Sequence, residues 1–155
     1  MTTPDFVLAL REKIGHDDLW LPGVTAVVLR GSEVLLVRRA DSGAWTPVTG
    51  IVDPGEEPAI AAAREVLEEA DVIAQVDSLS WVKVIDTVIY QNGDRSRYLD
   101  LVFRCRWVSG DPFPADGENT AAAWFPLDSL PELSEDMSER IRVAVLGAEA
   151  TRFER

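Results

Sequence analysis

The stretch from position 50 to 72, GIVDPGEEPAIAAAREVLEEADV, constrains this chain most. It opens on Gly50, turns at Asp53-Pro54-Gly55, and places Pro58 where a first helical turn accepts a residue without an N–H. Apolar spacing predicts a helix from about Pro58 to Ala70. A strand, a glycine loop and an acidic helix therefore follow one another. The helix crowds its carboxylates: Glu65 shares a face with Glu68 and Glu69, three and four positions on. Each like-charge pair costs about 0.2–0.5 kcal/mol, and a carboxylate near a helix C-terminus opposes the dipole by ~0.3–1 kcal/mol more. Arg64, four positions before Glu68, offsets part of that cost. Two readings remain. A solvated acidic face is common, and the carboxylates alone favour it. A divalent-cation site is favoured by the loop, because glycine lets carbonyls and side chains approach a ligand closely.

The same residues resemble the Nudix box, G-x5-E-x7-R-E-U-x-E-E-x-G-U, where U is aliphatic. Gly50, Glu56, Arg64, Glu65, Val66, Glu68, Glu69 and Val72 fill its fixed positions. Asp71 stands where the family has glycine, which bears on how the helix ends and not on its carboxylates. Trp45-Thr46-Pro47-Val48-Thr49 resembles the strand that precedes the box, and Trp124-Phe125-Pro126-Leu127 the family's late strand and turn. The resemblance covers about residues 22–145. It implies an α/β fold, a Nudix-type α/β/α sandwich with a mixed β-sheet, as one domain over 1–155. Within it, 1–18 would be a helical extension and 22–148 the core.

The resemblance also implies an activity: Mg2+-dependent hydrolysis of a diphosphate bond in a nucleotide derivative, by water attack at phosphorus. Mn2+ could replace Mg2+, since both take hard oxygen ligands. Glu65 and Glu69 are the implied leading metal ligands, with Glu68 close behind, Glu56 direct or through water, and the Thr49 carbonyl. Gly50 lies beside the substrate. Arg64 orients the glutamates by a salt bridge, a contact that is otherwise an ordinary helix ion pair. The general base is Glu118, with Asp116 in reserve, unless a box glutamate such as Glu68 serves; the segment 115–120 reads equally as a solvated turn. Two other activities share the fold. An isoprenoid-diphosphate isomerase would need a catalytic cysteine near the site. A non-catalytic nucleotide-sensing module tends to lose box glutamates, and here all are present.

The net charge of −12 and only two lysines argue against a long nucleic acid, which needs basic patches. A small nucleotide diphosphate bringing its own cation fits better, although the charge can also serve solubility alone. No apolar run approaches the ~20 residues of a membrane span, and the N-terminus MTTPDFVLALREK does not read as a secretory signal, so cytoplasm is expected. The single cysteine, Cys105, excludes an internal disulfide. Its apolar setting, LVFRCRWV, reads as a buried strand residue and not a nucleophile. A homodimer through the N-terminal helix is compatible with the sequence but not indicated by it.

The remaining elements follow from pattern. A helix runs from Thr3-Pro4-Asp5 to about Gly15 with Phe6, Leu10 and Ile14 on one face, and 19–23 reads as a linker. Strands 24–29 and 34–37 flank Gly31-Ser32, and another strand lies near 45–52. In the box helix Ile60, Ala63, Val66 and Leu67 would face the core and the glutamates point elsewhere. Strands 81–90 and 98–108 flank Gln91-Asn92-Gly93-Asp94; a loop at 109–117 precedes a strand at 121–125. Ser134 caps a helix from 135 to about 148, with Ile141 and Val145 in its stripe. His16 reads as a surface or capping residue; Asp100 either touches substrate or faces solvent. Trp20, Trp81 and Trp124 are candidate base-stacking residues, though aromatics usually belong to the core. Arg38, Arg39, Arg95 and Arg97 could hold phosphates; the first two are favoured because their strand ends near the box loop.

Overall fold

Strand β1 (Leu19–Arg30) is the axis of the molecule. Val24, Ala26, Val27 and Val28 are all buried, so this strand carries apolar side chains on both faces, as a central strand covered on both sides must. The structure, a computed structural model, describes residues 3–155. Helix α1 (Asp5–Ile14) precedes β1, and strands β2 (Glu33–Arg39), β3 (Trp45–Thr46) and β4 (Val48–Ile51) follow it. Then come α2 (Pro58–Ala70), β5 (Ile73–Ile89), β6 (Arg95–Ser109), β7 (Asn119–Pro126), α3 (Glu135–Leu146) and β8 (Arg152–Phe153).

Among the described residues the sheet runs β3-β2-β1-β6-β5-β8, with β4 added to β1 and β7 to β2. The β1/β6 and β5/β8 pairs are parallel and the others antiparallel, so the sheet is mixed. Helix α2 packs Ala62, Val66 and Ala70 on one face, against Val24, Val28, Leu35 and Phe103. Helix α3 packs Ile141 and Ala144 on the other, against Val27, Leu36 and Val102. The fold is the expected α/β/α sandwich. Ser134 Oγ accepts the Met137 N–H at 3.2 Å, the cap that starts α3. No helix among the described residues is long and apolar enough to cross a membrane.

Four expectations are corrected. Residues 19–23 are not a linker. Pro22 and Gly23 are weak strand residues, yet both lie in β1 opposite Leu99 and Asp100, because pairing with a neighbouring strand overrides local preference. Strand β5 starts at Ile73 and not at 81; its first half alternates exposed and half-buried residues and pairs with the end of β6. In α1 Val7 is the buried residue and Phe6 packs half-buried against the same cluster as expected, while Leu10 is exposed. The box helix is turned the other way: Ile60 and Leu67 are 62% and 48% exposed, and Glu65 and Glu69 are buried beside Ala61, Ala62, Val66 and Ala70.

Candidate active site

That rotation of α2 starts from Gly50. A Cβ on Gly50 would overlap the carboxyl of Glu65, so strand β4 and helix α2 can meet here only if position 50 has no side chain. Glu65 is 1% exposed. Burial pushes its carboxyl up to about 7 although Arg64 opposes the shift, and the nearby Glu69 and Glu68 add to it. Its Oε1 accepts Arg64 Nη1 at 3.0 Å. Its Oε2 is buried and has no hydrogen-bond partner among the described residues. An orphan of this kind costs about 1–3 kcal/mol, more for a charged group.

Arg64 ties the box together. Its Nε and Nη2 fork onto Glu56 at 2.7 and 2.9 Å, and Nη1 reaches both Glu65 and Glu68, at 3.0 and 3.1 Å. Nη2 also donates to the Ile51 carbonyl at 3.3 Å. The Arg64 fork holds the Glu56 carboxyl below its ordinary range, and Glu56 Oε2 accepts the Asp53 N–H at 3.1 Å as well. Both Glu56 oxygens are thus engaged in clamping Arg64 and the turn. Glu68 lies at the exposed rim.

The loop after β6 supplies the next carboxylates. It docks on the C-terminal end of α2: Phe113 N–H donates to the Ala70 carbonyl at 2.9 Å and Ala115 N–H to the Glu69 carbonyl at 3.3 Å. These contacts satisfy carbonyls that a helix end leaves open. Asp71 takes the left-handed conformation at φ 55° and donates its N–H to the Leu67 carbonyl at 3.0 Å. Aspartate therefore ends this helix in the backbone conformation that favours the family's glycine. Docking brings Glu69 together with Asp116 and Glu118, each offering an oxygen within 4.8 Å of the others. Burial raises the Glu69 carboxyl. Asn119 Nδ2 donates to Glu69 Oε2 at 3.2 Å. Hard carboxylate oxygens suit Mg2+ or Mn2+, and the open Glu65 oxygen on the neighbouring turn fits the same donor set.

A cleft of about 800 Å³ opens beside this group, lined by Arg39, Thr49, Gly50 and Glu118 at one end. Arg39 forks onto Asp41 at 3.0 and 2.8 Å; that bond raises its pKa, and Glu69 and Glu118 act in the same direction. Arg38 instead donates to the Gly43 carbonyl at 3.1 Å and is exposed. Arg95 and Arg97 face Asp18. Among the described residues no tryptophan lines the cleft. Trp20 is exposed, Trp81 is buried, and Trp124 lies under the Arg30 guanidinium at 4.3 Å. The aromatic residues there are Tyr90 and Tyr98, with hydroxyls 2.5 Å apart.

Asp100 does not face solvent. It is 2% exposed and lines the cleft floor, where Oδ2 accepts Thr25 Oγ1 at 2.7 Å and lies 3.4 Å from Arg140. Burial raises its carboxyl against the pull of Arg140. Neither Thr25 nor Arg140, nor the Asn119 contact, was marked by a motif; the available signals were an aspartate inside the apolar run YLDLVF and an arginine beside Ile141 in a helical stripe. Cys105 is 1% exposed and burial pushes its thiol up to about 12, so it is no nucleophile. His16 is a surface residue whose Nδ1 lies 2.7 Å from Asp94.

The NUDIX domain family model matches residues 19–144. A MutT-like protein of Streptomyces ambofaciens is 36% identical over 126 residues, 81% of this chain and 74% of that protein. The NAD-capped RNA hydrolase NudC of Pseudomonas aeruginosa is 35% identical over 119 residues, 76% of this chain but 40% of that protein, so the chain spans well under half of it. An ADP-ribose pyrophosphatase from Streptococcus suis superposes with TM-score 0.67 at 20% identity, over 86% of this chain and 96% of that one. A UDP-X diphosphatase superposes with TM-score 0.68 at 22% identity, over 99% and 75%. At those identities the two structures show a shared fold.

Proposed function

Since the chain belongs to the Nudix family, we propose that it is a pyrophosphohydrolase that cleaves the diphosphate bond of a small nucleotide derivative by water attack at phosphorus, with Mg2+ or Mn2+. The observation that carries this reading is the open, buried Glu65 oxygen near the group formed by Glu69, Asp116 and Glu118. Glu65 and Glu69 would hold the cation, with Glu68 at the rim and the Thr49 carbonyl as further donors; Glu56 supports them through its clamp on Arg64. Bound there, the ion would neutralise phosphate oxygens and lower the pKa of water.

The chain's own groups do the rest. Arg39, at the cleft wall, binds a phosphate oxygen. Gly50, at the same end of the cleft, lets the Glu65 carboxyl pack against β4 beside the diphosphate. Arg64 fixes the carboxyls of Glu56, Glu65 and Glu68 relative to one another. Glu118 takes the proton of the attacking water as the new P–O bond forms, and the bridging P–O bond breaks toward the leaving phosphate. Asp116 or Glu68 is the next candidate for that base.

The charge of −12 favours a small substrate over the capped RNA named for the NudC relatives. The cytoplasm, where Mg2+ and nucleotides abound, is the compartment that suits it. A panel of nucleoside diphosphate derivatives and one capped RNA, assayed for product release with Mg2+, tests the reading. Activity on at least one small derivative is expected, with a loss of roughly 10²-fold in Glu69→Gln. Wild-type turnover in that variant, or no Mg2+ uptake by calorimetry with and without nucleotide, would overturn it.

A further inference from the structure

The cleft continues past the carboxylates along the sheet to a second polar site. Its floor is Gly23 of β1, opposite Asp100 of β6 and Ile51 of β4. Gly23 is not among the residues with positive φ, so its backbone does not demand glycine. A Cβ there would lie 3.3 Å from both Asp100 Oδ1 and Tyr98 Cδ1, and 3.5 Å from the Gly50 carbonyl. Glycine inside a strand weakens it, and here the missing side chain gives room to the Asp100 carboxyl and the Tyr98 ring, which close on the strand from either side. The result is a flat strip between a tyrosine edge and a carboxylate.

That carboxylate is half used. Among the described residues, the hydrogen bond and the ion pair of Asp100 both fall on Oδ2. Thr25 is itself committed: it donates to Asp100 and accepts Arg140 Nη1 at 3.0 Å. Arg140 in turn is held by Asp136, which also binds Lys83. This chain of partners fixes the Asp100 carboxyl from behind and leaves Oδ1, beside Gly23, to meet whatever occupies the cleft. Apolar walls from Leu21, Ile85 and Val88 flank the strip. A planar ring with a hydrogen-bond donor on its edge matches a flat floor, apolar walls and an open carboxylate oxygen at one side.

We propose that Gly23 and Asp100 form the nucleobase seat, and that the base it selects carries an exocyclic amine, which donates to Asp100 Oδ1 while the ring lies over Gly23. This rests on the cleft being the nucleotide site proposed above. The seat lies along the floor from Thr49 and Gly50, the end assigned to the diphosphate. An oxo group in place of the amine would set its lone pairs against the carboxylate.

Two matched pairs of ligands test it, each exchanging amine for oxo on one ring: AMP against IMP, and CMP against UMP. With Mg2+ present, calorimetry should show the amine member binding about tenfold or more tightly in both pairs. In Asp100→Asn the side-chain carbonyl can keep Thr25 and Arg140 while an NH2 replaces Oδ1, so the preference should vanish or reverse. In Gly23→Ala all four should weaken, while inorganic pyrophosphate binds as before. Equal binding within each pair, or an unchanged ratio in Asp100→Asn, overturns the proposal without touching the hydrolase reading. Amine selectivity in a protein that hydrolyses nothing would do the opposite. If Asp100→Asn does not fold, the wild-type ratios and Gly23→Ala still decide.

Discussion

Gly50→Ala is the sharpest test of how this site is built, because two physical arguments predict opposite signs. Gly50 has no left-handed backbone. Restricting the unfolded chain alone would then make the substitution stabilising by about 0.4–1 kcal/mol. The structure predicts the reverse, since the new Cβ falls on the Glu65 carboxyl. Overpacking of this kind costs about 1–3 kcal/mol. If Glu65 moves aside instead, it gives up the 3.0 Å bond from Arg64, a charged hydrogen bond of about 1.5–3 kcal/mol. The chain takes whichever route is cheaper, so a loss of about 1–3 kcal/mol is expected. For 155 residues that is a Tm drop of about 2–12 °C. Thermal unfolding of the metal-free protein measures it, alongside Mg2+ titration, where affinity should fall as well. Glu65→Ala removes the obstacle. In the double variant Gly50→Ala should therefore cost nothing further, giving a coupling of about 1 kcal/mol or more in the cycle. A stabilised Gly50→Ala with normal Mg2+ affinity, or strictly additive effects, would refute the packing argument.

Arg64→Lys keeps the charge but loses the fork on Glu56 and the reach to Glu65 and Glu68; kcat/KM should fall about tenfold or more while Tm moves less than in Arg64→Ala, as steady-state kinetics and calorimetry would show. Gly110 sits at φ 93°, where a Cβ would come 2.6 Å from the Asp71 carbonyl. Gly110→Ala should lift the docked loop, so the amides of Phe113 and Ala115 exchange faster with solvent and activity falls; unchanged protection would refute it. Asp136 supplies a pH dependence. Burial alone would raise its carboxyl, but Lys83 and Arg140 bring it below the ordinary value. A depressed folded pKa gives stability that is present above the unfolded value and is lost as pH falls through the folded one. Asp136→Asn should therefore lower Tm at neutral pH and flatten its decline below about pH 4, and parallel curves would count against the ion pairs.

Local rules are most legible where the chain decides locally. Pro58 and the apolar period mark α2 from its sequence, Ser134 marks the start of α3, and Asn92-Gly93 marks the turn between β5 and β6. The late-loop carboxylates could be placed near Glu69 only through the family resemblance, because the docking contacts from Phe113 and Ala115 to α2 join segments more than forty residues apart. The Asp100, Thr25 and Arg140 set is more remote still, with separations of 75 and 115 positions that no local pattern reports. The direction of α2 is a different kind of failure. The rule that apolar residues go inside points Ile60 and Leu67 at the core, and the structure leaves both exposed so that Glu65 and Glu69 are buried. Burying these carboxylates raises both pKa values and leaves one oxygen of Glu65 with no partner among the described residues, a cost that leucine at position 65 would not carry. The rotation that imposes the cost is held by the notch at Gly50 and by the loop docked against the helix end. Where an apolar helix face is turned outward to keep carboxylates in, the local rule fails because the site, and not the core, sets the orientation.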